Sequence, residues 1–441
     1  MEDRLSPEGT VTLPVRRRSG SDVGRRSSSM PRLLWLSHFA PYPATGHGAL
    51  QRTHHLLAQA ARRYETHLVA LASAGSFAVD AERQHAERAL GKIAASARIF
   101  ALPANRRRAR TAARLVRAAV TRPTYWDHLF RNADAAAHVR ALVDELRFDI
   151  AHLDIVFLCS YVPLLGATPF ALNHHNVESH LLERRAARTR GPARSFFSRQ
   201  ARATAAVERD LGSRAAYNLV VSDLDGERLR ELAPNARIET IPNGVDVDYF
   251  APDPTASVRP HSLVWAGGMD WFPNADAIEW FATSLWPALA ADNPARSAVI
   301  IGRAPPARVV SLAAADARVQ VLGFVDDVRP YVRRAATYIC PIRVGGGTRL
   351  KVLDALALGR PLVATRIGVE GLGLVDGVHY LEANDVAETV AQVGRVERDP
   401  QLAARLADAG RAFVLGNYSW DGIGERLARV YDSVRGVGAA A

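Results

Sequence analysis

The 441-residue sequence predicts an α/β protein with two successive doubly wound, Rossmann-like domains that face a cleft. Three observations support this prediction. Short β-branched and apolar runs alternate with longer helical segments, as they do in parallel sheets covered by helices. The alternation breaks near residues 241–260 and then starts again. The chain is also too long for one core, and its length suits two domains of about 200 residues.

The first series of elements begins with an apolar run at residues 33–36, which predicts the first strand. Further strands of this domain are predicted at residues 67–71, 99–102, 150–153, 169–173 and 219–222. Helices are predicted at residues 50–61, 133–146 and, in a long Ala/Arg-rich stretch, 177–216. We expect this acceptor-side domain to span residues 31–245.

The second series follows a proline-bearing segment at residues 251–260. Its strands are predicted at residues 263–266, 298–301, 319–322, 336–340, 361–365 and 379–381, and its helices at 275–289, 306–314, 328–334 and 350–358. We expect this domain to span residues 246–416. Residues 417–441 are predicted to form a C-terminal segment whose helix, at 422–434, packs back on the first domain.

The net charge of +11 is concentrated partly near the start of the sequence. Residues 1–30 combine arginines with Ser and Gly and predict a disordered basic tail. Neither zinc-finger spacing nor basic-aromatic interleaving indicates nucleic acid as a partner. No apolar run of about 18 residues predicts a membrane span. We expect a cytoplasmic protein, and hypothesise peripheral contact with anionic lipid at the inner face of the cell membrane through arginine-rich surfaces such as residues 106–114.

The most informative segment is RVGGGTRLKVLDALALG, residues 343–359. Three glycines are followed by Thr348, Arg349 and Lys351 and then by an amphipathic run. A glycine loop that opens a cationic helix presents backbone N–H groups and positive charge to an anion. The segment therefore predicts a phosphate or diphosphate site. Only two of the 56 lysines and arginines are lysines, and one of them lies here.

Several motifs taken together resemble the retaining glycosyltransferases of family four, which have the two-domain GT-B fold. The resemblance covers roughly residues 32–435, and the GGGTRLK loop resembles that of a subset of the family. The motifs are, in chain order, the first strand with the glycine loop through Gly48, HHNVE at 174–178, VS at 221–222, IPNGVD at 241–246, GGMD at 267–270 with PN at 273–274, the block 341–365, and GVEGL at 368–372.

This resemblance implies a sugar-nucleotide donor held mainly by the second domain and an acceptor held mainly by the first. The implied catalytic residues are His175, Arg349 and Lys351, and the implied donor-binding residues are Gly267, Asn274, Gly346, Gly347, Thr348 and Asp354, the last of these as an acceptor for ribose hydroxyls. On the acceptor side, Gly46 and Gly48 permit close backbone approach to a ligand. The sequence leaves open whether His174 or His175 faces the site, because adjacent residues at a strand end point in opposite directions.

The sequence departs from the commonest family pattern in two places. Many members carry two glutamates separated by seven residues, where this chain has Gly346 and Asp354. Many members also carry an arginine and a lysine after the glycines of the second domain's first strand, where this chain has Met269 and Asp270. We therefore expect the cations of the GGGTRLK loop to supply the missing charge.

These motifs predict a hexosyltransferase-like enzyme that moves a sugar, with retention, from a nucleotide-diphosphate donor to the hydroxyl of a saccharide or lipid-linked acceptor, in polysaccharide or glycolipid synthesis. We expect no cofactor besides the sugar nucleotide, which is a co-substrate, and no metal. The D-x-D sequences at 223–225 and 246–248 do not end strands of the predicted donor site. The alternatives are a nucleotide-sugar epimerase or hydrolase of the same fold, and a catalytically inactive scaffold.

Overall fold

Two parallel β-sheets, one in each half of the chain, organise the molecule. The computed structural model describes residues 30–43, 48–73, 76–77, 79–102, 124–345 and 349–438. Alternate residues of the central strands enter different apolar cores: Leu33 and Trp35 face one, and Leu34 and Leu36 face the other. A strand buried on both faces is what a doubly wound α/β domain requires. The predicted fold class is confirmed.

The first sheet has the strand order β3-β2-β1-β4-β5-β6-β7. Its strands are β1 Arg32–Ser37, β2 Glu65–Ala72, β3 Ser96–Ala101, β4 Ile150–Leu153, β5 Phe170–His174, β6 Tyr217–Val220 and β7 Ile238–Thr240. The α-helices described around it are Gly48–Ala60, Asp80–Leu90, Tyr125–Phe130, Ala133–Glu145, Glu178–Arg188, Gly191–Arg214 and Asp223–Leu232, with a 3-10 helix at Val156–Leu165.

The stretch predicted to be helical at residues 177–216 is helical, and it forms two helices. The first ends at Arg188, and the second begins at Gly191, where φ is +62°. Pro192 has no N–H to continue a helix from the preceding turn, but it fits the first turn of a new one. The result is an antiparallel helical hairpin.

The second sheet has the strand order β10-β9-β8-β11-β12-β13. Its strands are β8 Arg259–Ala266, β9 Ser297–Ile301, β10 Val319–Gly323, β11 Ala335–Cys340, β12 Leu362–Ala364 and β13 Leu381–Glu382. The described α-helices are Phe272–Trp280, Trp286–Asp292, Ala307–Ala315, Arg329–Arg334, Leu350–Ala357, Val386–Arg398, Pro400–Asn417 and Trp420–Gly438, with a 3-10 turn at Ile367–Val369.

The helix predicted at 275–289 is interrupted. It begins at Phe272, changes to a π-helical turn at Phe281–Leu285 and resumes as an α-helix at Trp286. Pro287 lacks the N–H that an uninterrupted α-helix would use, and this accounts for the irregular turn before it.

The last helix, Trp420–Gly438, lies against the first domain. Ile423, Leu427 and Tyr431 belong to the same apolar cluster as Leu33 of β1. Trp420 at its start stacks on His55 with the ring centres 4.7 Å apart. No helix among the described residues is long and apolar enough to cross a membrane.

Strand register brings three polar side chains together at the carboxyl edge of the first sheet. Leu36 of β1 is paired with Leu153 of β4, and Leu153 is paired with Leu172 of β5. The next residues along these strands, Ser37, Asp154 and Asn173, therefore lie side by side. Ligands of doubly wound sheets bind at this edge.

Candidate active site

The first-domain side of the site is organised around a carboxylate that follows β4. Asp154 is fully buried, and three imidazoles surround it. His175 Nε2 lies 3.3 Å from Asp154 Oδ1, His38 Nδ1 lies 3.5 Å from Oδ2, and His152 Nε2 lies 3.7 Å from Oδ1. His38 and His175 each follow the carboxyl end of a strand, so the sheet edge brings them to the same carboxylate.

Hydrogen bonds from uncharged groups also converge on Asp154. Thr53 Oγ1 donates to Oδ2 at 2.9 Å, Ser37 Oγ to Oδ2 at 3.1 Å, and Asn173 Nδ2 to Oδ1 at 3.1 Å. Burial alone would raise the pKa of Asp154, but its interactions with His175 first, and with His152 and His38, outweigh burial and hold the pKa well below its ordinary value. The carboxylate is therefore ionised at neutral pH.

His174 and His175, adjacent residues at the end of β5, have different surroundings. His174 is 1% exposed, and its Nε2 lies 3.1 Å from Asn218 Oδ1 on β6. Burial lowers the pKa of His174 to about 4, so its ring is neutral. His175 instead turns toward Asp154. It is therefore His175 that reaches the sheet edge.

The second-domain side of the site contains a partly buried lysine. Lys351 Nζ donates to Asn274 Oδ1 and lies 5.0 Å from the centre of the Trp265 ring. Asn274 Nδ2 in turn donates to Gly268 O at 2.7 Å. A Cβ at Gly267 would lie 2.7 Å from Lys351 Nζ, so a larger residue there would displace the ammonium group from its present position. Burial lowers the pKa of Lys351 to about 8.

Two further charged residues lie near Lys351: Arg349 directly before its helix and Asp354 within the helix. Arg349 is 9% exposed, and burial lowers the pKa of its guanidinium. Asp354 lies three residues after Lys351, hence on the same face. Burial raises the pKa of Asp354 to about 8, although Lys351 opposes the shift. At neutral pH the carboxyl is therefore largely protonated, and positive charge dominates this helix start.

The glycine loop after β8 receives a cation that the sequence analysis missed. Asp270 is paired with Arg303 at 2.9 Å. Arg303 follows β9, the neighbour of β8, and this placement after a strand was the available signal. A guanidinium paired with Asp270 thus lies beside this loop, contributed by the neighbouring strand.

A group of charged side chains joins the two domains. Glu370 of the second domain accepts hydrogen bonds from Arg184 NH2 at 3.4 Å and from Arg228 NH2 at 3.2 Å, both of the first domain. Arg184 NH1 also donates to the carbonyl of Gly345, at the start of the glycine triplet. These contacts, which we call the interdomain clasp, hold the two sheet edges together beside the site.

Not all of the predicted site residues can be located. Gly46, Gly346, Gly347 and Thr348 lie outside the described residues. Gly48 begins the first helix, and a Cβ there would lie 3.0 Å from Leu350 Cδ1 of the second domain. Its small size therefore serves the approach of the two domains, and its contact with a ligand stays a prediction.

One group of described residues has ligand atoms close enough to hold a metal ion: His38, Asp154 and His175 offer atoms within 4.8 Å of one another. Two imidazoles and a carboxylate suit zinc or ferrous ion. However, the carboxylate already accepts from Ser37, Thr53 and Asn173, which use the lone pairs that a metal ion would need. The absence of a metal stays an expectation.

Two family models match successive parts of the chain. Residues 46–249 match glycosyltransferase family 4, and residues 260–399 match the glycosyl transferases of group 1. Together these matches support a glycosyltransferase of family 4. The gap between them, residues 250–259, lies between β7 and β8 and ends at Arg259, the first residue of β8.

Curated relatives match over part of their length. A GDP-mannose-dependent alpha-(1-6)-phosphatidylinositol monomannoside mannosyltransferase of Mycolicibacterium smegmatis is 28% identical over 46% of this chain and 58% of that protein. A phosphatidyl-myo-inositol mannosyltransferase of the same organism is 29% identical over 50% of this chain and 58% of that protein. The chain thus spans less than two thirds of the length of these relatives.

Solved structures match over nearly the whole chain and show the fold. The sucrose-phosphate synthase of Thermosynechococcus elongatus has a TM-score of 0.68 at 16% identity and covers 93% of this chain and 100% of its own. Anabaena HepE in complex with UDP has a TM-score of 0.63 at 15% identity, over 91% of this chain and 100% of its own. The two-domain fold is GT-B.

Proposed function

We propose that the chain transfers a sugar, with retention of anomeric configuration, from a nucleotide-diphosphate donor to an acceptor hydroxyl. The observation that carries this proposal is the pair of enclosed cations, Arg349 and Lys351, where a helix begins beside the glycine loop of β8. A helix start, a close backbone loop and enclosed positive charge form a site for a diphosphate.

The proposed donor site extends from the diphosphate toward the sugar and the ribose. Asn274 holds Lys351 in place through its side-chain oxygen and is itself fixed by Gly268. Asp354 is proposed to contact the ribose hydroxyls. Gly346, Gly347 and Thr348 are proposed to bind phosphate oxygens through their backbone N–H groups. The UDP complex of HepE, which shares the fold, is compatible with this class of ligand.

The proposed chemistry needs no carboxylate nucleophile. The acceptor oxygen forms a bond to the anomeric carbon on the face from which the diphosphate departs, and the carbon–oxygen bond to the diphosphate breaks. The proton of the acceptor hydroxyl passes to a departing phosphate oxygen. Lys351 and Arg349 stabilise the negative charge that develops there, and His175 contacts the sugar from the first domain. Closure of the domains excludes water and so limits hydrolysis.

The proposed acceptor is a saccharide or lipid-linked saccharide. The two mannosyltransferases of Mycolicibacterium smegmatis are named for phosphatidylinositol acceptors, which supports a lipid-linked one. The tip of the helical hairpin exposes Arg185, Arg188, Arg190 and Arg194, a surface that suits the anionic headgroups beside such an acceptor. The hypothesised surface at residues 106–114 lies outside the described residues.

Purified protein should be screened against UDP-, GDP-, ADP- and dTDP-sugars, first by thermal shift and then for turnover with free and lipid-linked acceptors. A true donor raises the melting temperature through binding to the folded state. Release of nucleoside diphosphate that requires acceptor, with an anomeric NMR signal matching that of the donor, supports the proposal. Acceptor-independent release indicates a hydrolase, an isomerised donor indicates an epimerase, and binding without turnover indicates a scaffold.

A further inference from the structure

Asp154 and His175 are in direct contact, and the proposed donor site gives Asp154 no role of its own. Asp154 has no exposed surface, and it is fixed by donors from three elements: Ser37 at the end of β1, Thr53 on the first helix and Asn173 on β5. A carboxylate held this way has one position and one orientation. His175, whose side chain is 8% exposed, is the imidazole closest to it.

We propose that Asp154 is a positioning residue for His175: its carboxylate accepts the Nε2–H of the imidazole, which leaves Nδ1 as a fixed acceptor for a hydroxyl of the substrate. This inference rests on the proposed function, since it assigns the partner of His175 in the same site. The class of group recognised is a sugar hydroxyl, which can donate to an unprotonated imidazole nitrogen.

The tautomer follows from the chemistry of the partner. An ionised carboxylate only accepts hydrogen bonds, so a ring nitrogen that bonds to it across 3.3 Å carries the proton. The amide of Asn173 lies 3.5 Å from the same nitrogen, but its shorter hydrogen bond, 3.1 Å, is donated to Asp154 Oδ1. The other ring nitrogen of a neutral imidazole is then an acceptor. A buried carboxylate that orients a histidine in this way can contribute several orders of magnitude to a rate without touching substrate.

The other two imidazoles of the cluster have different tasks. His152 lies beneath the site, stacked 3.7 Å from Trp35, and its Nδ1 is 2.7 Å from the hydroxyl of Tyr431 on the last helix. It is fully buried and cannot reach substrate. His38 is 15% exposed in its side chain and contacts His175 edge-on, with ring centres 5.6 Å apart. The rings of His38 and Phe39 therefore lie beside the His175 ring and restrict its rotation.

The test compares Asp154→Asn with wild type in two measurements on the full chain. Two-dimensional NMR of 15N-histidine-labelled protein, with His175→Gln to assign the signal, reports the tautomer without any substrate. We expect an Nε2-protonated His175 in wild type and a mixture of tautomers in Asp154→Asn, since an amide can donate as well as accept.

In turnover measurements on Asp154→Asn, we expect kcat to fall about 100-fold or more, with the KM for the donor changed less than about threefold.

Matched variants separate positioning from folding. Glu397→Gln alters another buried carboxylate, which pairs with Arg296 before β9, at the sheet edge away from the cleft. It should change stability but not the His175 signal or kcat. Asp154→Glu keeps the charge and should recover part of the lost kcat if its folding is intact.

The outcomes distinguish failure of this inference from failure of the proposed function. If wild type transfers sugar but Asp154→Asn keeps both the tautomer and kcat within about twofold, the positioning role is wrong and the function stands. If no donor gives turnover in wild type, the proposed function fails, and the NMR measurement still decides whether Asp154 sets the tautomer. Stoichiometric binding of Zn²⁺ at micromolar concentration that shifts the His175 signal would identify the cluster as a metal site and overturn the inference.

Discussion

The two domains place opposite charge at the same position of the same architecture. At the carboxyl edge of the first sheet, Asp154 is a buried anion surrounded by hydrogen-bond donors. At the carboxyl edge of the second sheet, Arg349 and Lys351 are enclosed cations beside a glycine loop. Parallel-sheet topology alone therefore does not determine what each edge can bind. The residues that follow the strands do.

Because the two sheet edges carry opposite charge, we infer that they bind different groups. The negative charge of Asp154 is compensated within its own domain, so that edge offers imidazoles and hydroxyl partners to an uncharged group. At neutral pH the carboxyl group of Asp354 does not neutralise Lys351, because burial raises the pKa of Asp354 to about 8. An anionic leaving group is thus stabilised at the second edge, while a sugar hydroxyl fits the first.

The largest predicted effect tests the cationic edge. Lys351→Ala removes the ammonium group held by Asn274, and we expect kcat to fall by two or more orders of magnitude, corresponding to about 3 kcal/mol of lost leaving-group stabilisation. Steady-state kinetics with the donor found by screening measure it. Lys92→Ala is the matched control, because Lys92 is the other lysine of the chain and is exposed. Activity near wild type in Lys351→Ala would show that Lys351 does not stabilise the leaving group, and the proposed difference in role between the two edges would be wrong.

Much of the fold followed from apolar periodicity, and the failures have physical causes. The strand at residues 150–153 was predicted with its observed bounds because three of its four residues are apolar. Strand β7, Ile238–Thr240, was not predicted, since three residues at a sheet edge leave too short a pattern. The π-turn at Phe281–Leu285 depends on a proline within an otherwise helical pattern.

The candidate site was less predictable than the fold. Lys351 and His175 were chosen from a glycine motif and a strand end, signals that are local in sequence. The surroundings of Asp154 are evident only from the strand register. The register brings together the end of β1 and the ends of β4 and β5, which lie more than a hundred residues later in the sequence. Asp154 follows a predicted strand, so the rule that selected His175 would also have selected it.

A smaller effect is predicted for the interdomain clasp, which joins the two edges compared above. Glu370→Gln weakens the contacts with Arg184 and Arg228, and we expect a rise of about three- to tenfold in the donor KM, because partly exposed ion pairs stabilise closure only modestly. Kinetics at low and high salt measure it, since salt should reduce the difference between variant and wild type. Arg366→Ala, which removes an exposed pair with Glu382 within the second domain, is the control. An equal change in both variants would show that the clasp has no specific role in bringing the two edges together.

The smallest predicted effect concerns a carboxyl group behind the first edge. Glu208 is fully buried on the Gly191–Arg214 helix, and its Oε1 accepts from the backbone N–H of Glu178 at 2.7 Å. Burial raises the pKa of Glu208 to about 8, above the ordinary 4.5. The folded state therefore binds this proton more tightly than the unfolded state, so the stabilisation is complete below pH 4.5 and is lost as the pH rises through 8.

Glu208→Gln keeps a side-chain carbonyl for the helix start but cannot ionise. We expect wild type to lose on the order of 1–3 kcal/mol of its free energy of unfolding between pH 5.5 and pH 8.5, and the variant to lose measurably less. Urea denaturation at both pH values measures this. Glu425→Gln, at an exposed surface pair with Arg63, should retain the wild-type pH dependence. The same slope in wild type and Glu208→Gln would mean that Glu208 is ionised in the folded protein and that it adds a buried negative charge to that of Asp154.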